Sequence, residues 1–213
     1  MISLAKNKLI WINLSNGAAQ HEVRIAKYLI ENFPNTKLIF LEVGSAYGGG
    51  VEYLANLLRF RGLVYGYDTF VGHPKDLADD PTSLEATCMD IWYEYPKLGR
   101  KRLSYEYQRK ALDSLDMTNA ILVKGRINDH SFDDIDKVHM AMLDLDLIKS
   151  TRVAYHALKD KIVSGGFIMF HDALPPDHLP YIHDFIYNEV IKDRRWLVEL
   201  EDPLAMLVIL KRT

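Results

Sequence analysis

Short apolar runs bounded by breakers alternate along this chain with segments of helical spacing, and that alternation limits the fold more than any other feature. It specifies a parallel α/β sheet, because successive parallel strands are joined through a crossover helix. Residues 20–32, centred on His21–Ile30, have helical spacing that stops at Pro34-Asn35, and Lys37–Val43 reads as a buried strand. A glycine-rich turn leads to a helix from about Val51 to Phe60 and then to the strand Leu63–Asp68. Helical spacing returns over Ser104–Leu115, followed by strands at Ala120–Lys124 and Val138–Asp144. A helix over about Ser150–Ile162, the strand Phe167–Phe170 introduced by Gly165-Gly166, and a helix near Tyr181–Lys192 complete the alternation.

The last two apolar runs, Trp196–Leu200 and Leu204–Leu210, break the pattern. Only Glu201-Asp202-Pro203 separates them, which is too short for a parallel crossover, so they must pair antiparallel. Five βα units closed by such a hairpin predict a seven-stranded, mostly parallel sheet, similar to the Rossmann-like fold of class I methyltransferases. One domain is expected over residues 1–213, with a helical N-terminal segment over 1–35 and a lid-like insertion with its helix over 69–118. Within the insertion, Thr69–Gly99 holds Pro74, Pro81 and Pro96 beside Trp92, Tyr93 and Tyr95. A connection that long is usually a lid or a binding loop, and its aromatics could stack on an acceptor or simply pack the lid down.

Composition narrows the setting. A net charge of −3 gives no general reason to expect nucleic acid, and the basic clusters Arg100-Lys101-Arg102 and Arg194-Arg195 are short enough to be solvated faces. No apolar stretch approaches the ~18 residues that span a bilayer. The single cysteine, Cys88, forms no internal disulfide, and the N-terminus lacks a signal-peptide pattern. A soluble cytoplasmic protein is expected, with no nucleic-acid or membrane partner; a homo-oligomer is compatible with its aromatics.

Open α/β sheets bind ligands beyond the carboxyl ends of their strands. The first such end reads Leu41-Glu42-Val43-Gly44-Ser45-Ala46-Tyr47-Gly48-Gly49-Gly50. Its Glu-x-Gly-x-x-x-Gly spacing is not the Gly-x-Gly-x-x-Gly that seats a dinucleotide pyrophosphate. S-adenosyl-L-methionine carries no phosphate and suits this looser loop. Asp68, followed by Thr69, ends the second strand, where a carboxylate can accept both ribose hydroxyls. Gly125 and Arg126 follow the third strand, at the expected adenine edge. The cofactor set is therefore Glu42, Gly44, Ser45, Tyr47, Gly48, Asp68, Thr69, Gly125, Arg126 and Asp144. The competing reading is a plain strand-to-helix turn with a capping aspartate.

The fourth strand ends Leu143-Asp144-Leu145-Asp146 and the fifth Phe170-His171-Asp172. Asp144, His171 and Asp172 can share a divalent cation, Mg²⁺ by their oxygens, Mn²⁺ or another transition ion by the imidazole. Asp146 is the candidate general base, with Asp144 and His130 as further catalytic candidates. The competing reading makes these acids helix caps. His73, His178 and His183 also lie on predicted loops or near the site edge, with a surface role the default for each.

Four segments carry a family resemblance. Tyr65–Pro74 resembles the "G-[FY]-D-[ST]-F-x-G-L-P" segment of the macrocin O-methyltransferase (TylF-type) family, and Val123–Asp129 its "V-x-K-G-x-F-x-D-T" step. Leu143–Thr151 is similar to its "D-x-D-x-Y-x-S-T" stretch, and Ser164-Gly165-Gly166 with His171-Asp172 to its "G-G-x-x-x-x-D-D". The resemblance implies Mg²⁺-assisted O-methylation of a hydroxyl on a sugar or other secondary metabolite. It makes Asp144, His171 and Asp172 metal ligands, Asp146 the base, and Glu42, Gly44 and Asp68 cofactor contacts. The sequence departs from the pattern at His171, Ile148 and His73. Two other readings stay open: a metal-independent methyltransferase using His130 or Asp146, and a non-catalytic cofactor-binding protein.

Overall fold

The computed structural model describes residues 17–72 and 103–213. Helix α1 (Gly17–Asn32) leads to β1 (Leu38–Val43), α2 (Gly49–Leu58) and β2 (Gly62–Asp68). Next come α3 (Tyr105–Ser114), β3 (Ala120–Lys124), β4 (Val138–Leu143), α4 (Ile148–Leu158) and β5 (Ile162–Phe170). Helix α5 (Pro180–Phe185), continued by a π-type turn over Ile186–Val190, precedes β6 (Trp196–Asp202) and β7 (Leu207–Arg212). Pro74, Pro81, Cys88, Trp92, Tyr93, Tyr95, Pro96, His73 and the Arg100–Arg102 cluster lie outside the described residues.

The seven strands form one sheet in the order β3-β2-β1-β4-β5-β7-β6, with β7 antiparallel to both β5 and β6. This is the Rossmann-like arrangement expected from the alternation and the terminal hairpin. All six residues of β4 are buried, as a central parallel strand covered on both faces requires. Alternate residues serve the two faces. Ala141 and Leu143 join Leu41, Tyr155, Phe170 and Phe185 beneath α4 and α5. Met140 and Met142 join Ile25, Phe40, Leu54 and Leu112 beneath α1, α2 and α3.

Several boundaries differ from the sequence reading: in the terminal hairpin β6 runs on to Asp202 and β7 starts at Leu207 rather than Leu204. The fifth strand begins at Ile162 rather than Phe167, and α4 accordingly ends at Leu158. Gly165-Gly166 does not precede that strand but sits inside it, where the β4–β5 register slips between Val138 and Met140. Gly165 takes a positive φ of 79°, and a Cβ on Gly166 would lie 2.9 Å from the Val163 carbonyl oxygen, so glycine permits the irregularity. Residues 181–192 form a short helix that loosens into the π-type turn, not one regular helix. Among the described residues no helix is long and apolar enough to cross a membrane.

Candidate functional site

Strand order reverses between β1 and β4. After β1 the chain turns to α2 on one face, after β4 to α4 on the other, and the two connections part to leave a crevice at the carboxyl ends. A cavity of about 480 Å³ opens there, within the range that small ligands occupy.

One half is built from the loops after β1 and β2. The Gly44 and Ser45 N–H groups donate to the Tyr67 carbonyl, at 2.9 and 3.2 Å. Asp68 then ties the two loops together: Oδ2 accepts from Ala46 N–H and Oδ1 from Phe70 N–H, each at 2.8 Å. Gly44 has φ 97°, and a Cβ there would fall 1.7 Å from the Asp144 carbonyl oxygen, so only glycine lets β1 leave the sheet this close to β4. Gly44, Asp68, Thr69, Gly125 and Arg126 all line the cavity.

The other half comes from the ends of β4 and β5. His171 Nδ1 lies 3.1 Å from Asp144 Oδ1 and 3.2 Å from Asp172 Oδ1. Asp144, His171 and Asp172 each offer a donor atom within 4.8 Å of the others. Nδ1 is buried and makes neither contact with hydrogen-bond geometry. Atoms of these three residues thus lie close enough together for one cation to be shared among them. Burial alone would lower the His171 pKa. The Asp144 charge, with Asp172, overrides this and pushes it up to about 11. Asp146 and Asp172 have left-handed backbones, φ 58° and 57°, a conformation Asp tolerates better than most residues, and both line the cavity.

Other expected residues are not brought to the cavity wall. Glu42 points under the start of α2: a Cβ on Gly50 would lie 2.3 Å from its Oε1, and the Val51 N–H donates to its carboxyl. Burial, followed by the fields of Glu22 and Asp144, holds its pKa well above the usual carboxylate range. Glu42 therefore shapes the turn. Ser45 is buried, and Ser45, Tyr47 and Gly48 belong to the loop without lining the cavity; Gly48, at φ 73°, caps α2. His130 is 86% exposed, pairs with Asp133 at 2.9 Å, and lies off the cavity because its turn carries Phe132, not the histidine, inward. His183 meets the Ala173 carbonyl at 3.1 Å and stacks on Tyr187.

Three residues gain roles the sequence reading did not assign. Gln108 of α3 is fully buried, and its amide donates to the Ala46 carbonyl at 2.6 Å and the Leu103 carbonyl at 3.2 Å, clamping the loop after β1. Glu22 of α1 is buried, and its pKa rises to about 7 through burial and then the Asp144 charge. Both were detectable as polar residues on apolar stripes, Gln108 one turn before Leu112 and Glu22 one turn before Ile25 and Ala26. His178 lines the cavity with Nε2 3.3 Å from Asp172 Oδ1.

No family model and no curated protein sequence matches the chain. Solved structures do. The O-methyltransferase NovP aligns with a TM-score of 0.68 at 19% identity, covering 92% of this chain and 79% of its own. The calicheamicin methyltransferase CalS11 aligns at 0.70 with 15% identity, covering 95% and 80%. An rRNA methylase from Streptococcus thermophilus aligns at 0.56 with 17% identity, covering 91% and 94%. These likenesses establish the fold. They span different acceptors, so the site must argue the chemistry.

Proposed function

We propose that the protein is an S-adenosyl-L-methionine-dependent methyltransferase that methylates a hydroxyl of a small molecule with the help of a divalent cation. One observation carries the reading: the Gly44–Asp68 loops and the Asp144–His171–Asp172 cluster face a single cavity. Asp68 lines the cavity at the tip of β2, where its carboxylate is placed to accept the ribose hydroxyls of the cofactor. Asp144, His171 and Asp172 would hold Mg²⁺ or Mn²⁺. When bound, such an ion would lower the pKa of an acceptor hydroxyl and orient its oxygen. The Asp146 carboxylate receives the proton that the hydroxyl gives up as its oxygen takes the methyl group from sulfur, which departs as a neutral thioether. The motif resemblance to the macrocin O-methyltransferase family, and the description of CalS11 as a TDP-rhamnose 3′-O-methyltransferase, support a sugar or other secondary-metabolite hydroxyl as acceptor. The His130 alternative loses support because that residue is solvent-exposed and does not line the cavity.

The test is methyl transfer from labelled cofactor to a panel of hydroxylated acceptors, in EDTA and after Mg²⁺ or Mn²⁺ is restored. Transfer should require the ion, and Asp144→Asn should bind cofactor yet transfer nothing. Unchanged turnover in EDTA, or wild-type turnover by Asp144→Asn, sinks the metal reading.

A further inference from the structure

The loop after β5 brings a second imidazole to the cavity. The His178 N–H donates to the Pro175 carbonyl at 2.9 Å, and the ring reaches back so that Nε2 stands 3.3 Å from Asp172 Oδ1. That oxygen also faces His171 Nδ1 at 3.2 Å. Ligand atoms about 2.0–2.2 Å from one ion lie roughly 3 Å from their neighbours, the spacing seen between Asp144 Oδ1 and His171 Nδ1. His178 is not in the set whose atoms all lie within 4.8 Å of one another. It touches the site through Asp172.

We infer that His178 is a positioning residue for the cation: it holds Asp172 through Oδ1 so that Oδ2 is presented to the ion. This rests on the cation reading above. The Asp172 carboxylate needs such a hold, because its two oxygens are chemically equivalent and rotation exchanges them. The His178 imidazole beside Oδ1 removes that equivalence and leaves Oδ2 as the ligand oxygen. Hydrogen-bonded partners of ligating carboxylates set affinity in this way, and their loss typically costs 10–100-fold in metal binding. His178 is 36% exposed and its ring packs no core, so the fold survives its replacement.

Calorimetric titration of Mg²⁺ and of Mn²⁺ into the EDTA-stripped full chain tests this in the wild type, His178→Ala and His178→Gln. Alanine should weaken both ions 10–100-fold. Glutamine, whose amide can still donate to Oδ1, should recover most of the loss. Affinity for S-adenosylhomocysteine and the ion-free thermal midpoint should match in all three. The inference fails if the alanine variant binds both ions within twofold of wild type, if glutamine does no better than alanine, or if both variants lose thermal stability without the ion. A wild type that binds neither ion removes the cation reading and this inference together, so the two failures are told apart.

Discussion

Asp68→Asn separates the two tasks of that carboxylate. Wild-type Oδ2 and Oδ1 each accept a backbone N–H at 2.8 Å, from Ala46 and Phe70. Asparagine keeps one acceptor oxygen, but its NH₂ must then face one of those N–H groups, donor against donor. Whichever way the amide flips, one loop loses its anchor. The negative charge that strengthens bonds from ribose hydroxyls is lost as well. A bond to a charged acceptor contributes about 1.5–3 kcal/mol, so binding of S-adenosylhomocysteine should fall by about 2 kcal/mol, or about 30-fold. Asp68→Ala, with both N–H groups orphaned, should bind still more weakly and also lose about 1–3 kcal/mol of stability. Isothermal calorimetry supplies the affinities, and urea unfolding separates them from stability. If Asp68→Asn binds within twofold of wild type, the nucleoside half of the site is misplaced. If it binds weakly only in step with lost folding, Asp68 is a structural clasp and nothing more.

Asp146→Asn should lower turnover by at least about 100-fold with cofactor affinity unchanged, since Asn tolerates the same left-handed backbone but cannot take the proton; near-normal turnover by single-turnover assay would remove Asp146 as the base. Gln108→Leu should lose about 1–3 kcal/mol in urea unfolding by orphaning the Ala46 and Leu103 carbonyls, and should weaken cofactor binding because the loop after β1 loosens; full stability would contradict the clamp. Glu22→Gln tests the buried acid. Folded Glu22 holds its proton up to about pH 7, whereas the unfolded chain releases it near 4.5, so its contribution is intact below about pH 4.5 and is lost progressively as pH rises to about 7. Glutamine removes that loss, so the variant's unfolding free energy in EDTA should gain on wild type by on the order of 3 kcal/mol between pH 4.5 and 8. Parallel pH–stability curves would show that Glu22 ionises like a surface carboxylate.

The strands were legible because each is an apolar run between breakers, and β3 was readable to the residue. The antiparallel end followed from a three-residue gap no crossover can bridge. Harder to read was the strand that contains its own glycines: Gly165-Gly166 looks like a boundary locally, and only pairing with β4 reveals an irregularity within β5. The candidate site divides similarly. Asp68, Asp144, Asp146, His171 and Asp172 were visible as polar residues ending apolar strands, and all five line the cavity. Glu42, one residue before the end of its strand, turns beneath α2 instead, because a strand position does not tell which neighbouring backbone a side chain will meet.

By itself, then, the sequence determined the order of strands and helices, the direction of the last two strands, and which acids and imidazoles stand at strand tips. These are consequences of local periodicity and connection length, and they need no knowledge of distant residues. Tertiary structure alone decided which tips share a cavity, that Gln108 clamps a loop 62 residues away, and that His178 reaches Asp172 while His130 stands in solvent. Those outcomes depend on the reversal of strand order between β1 and β4 and on how the helices pack over it, which no single segment encodes.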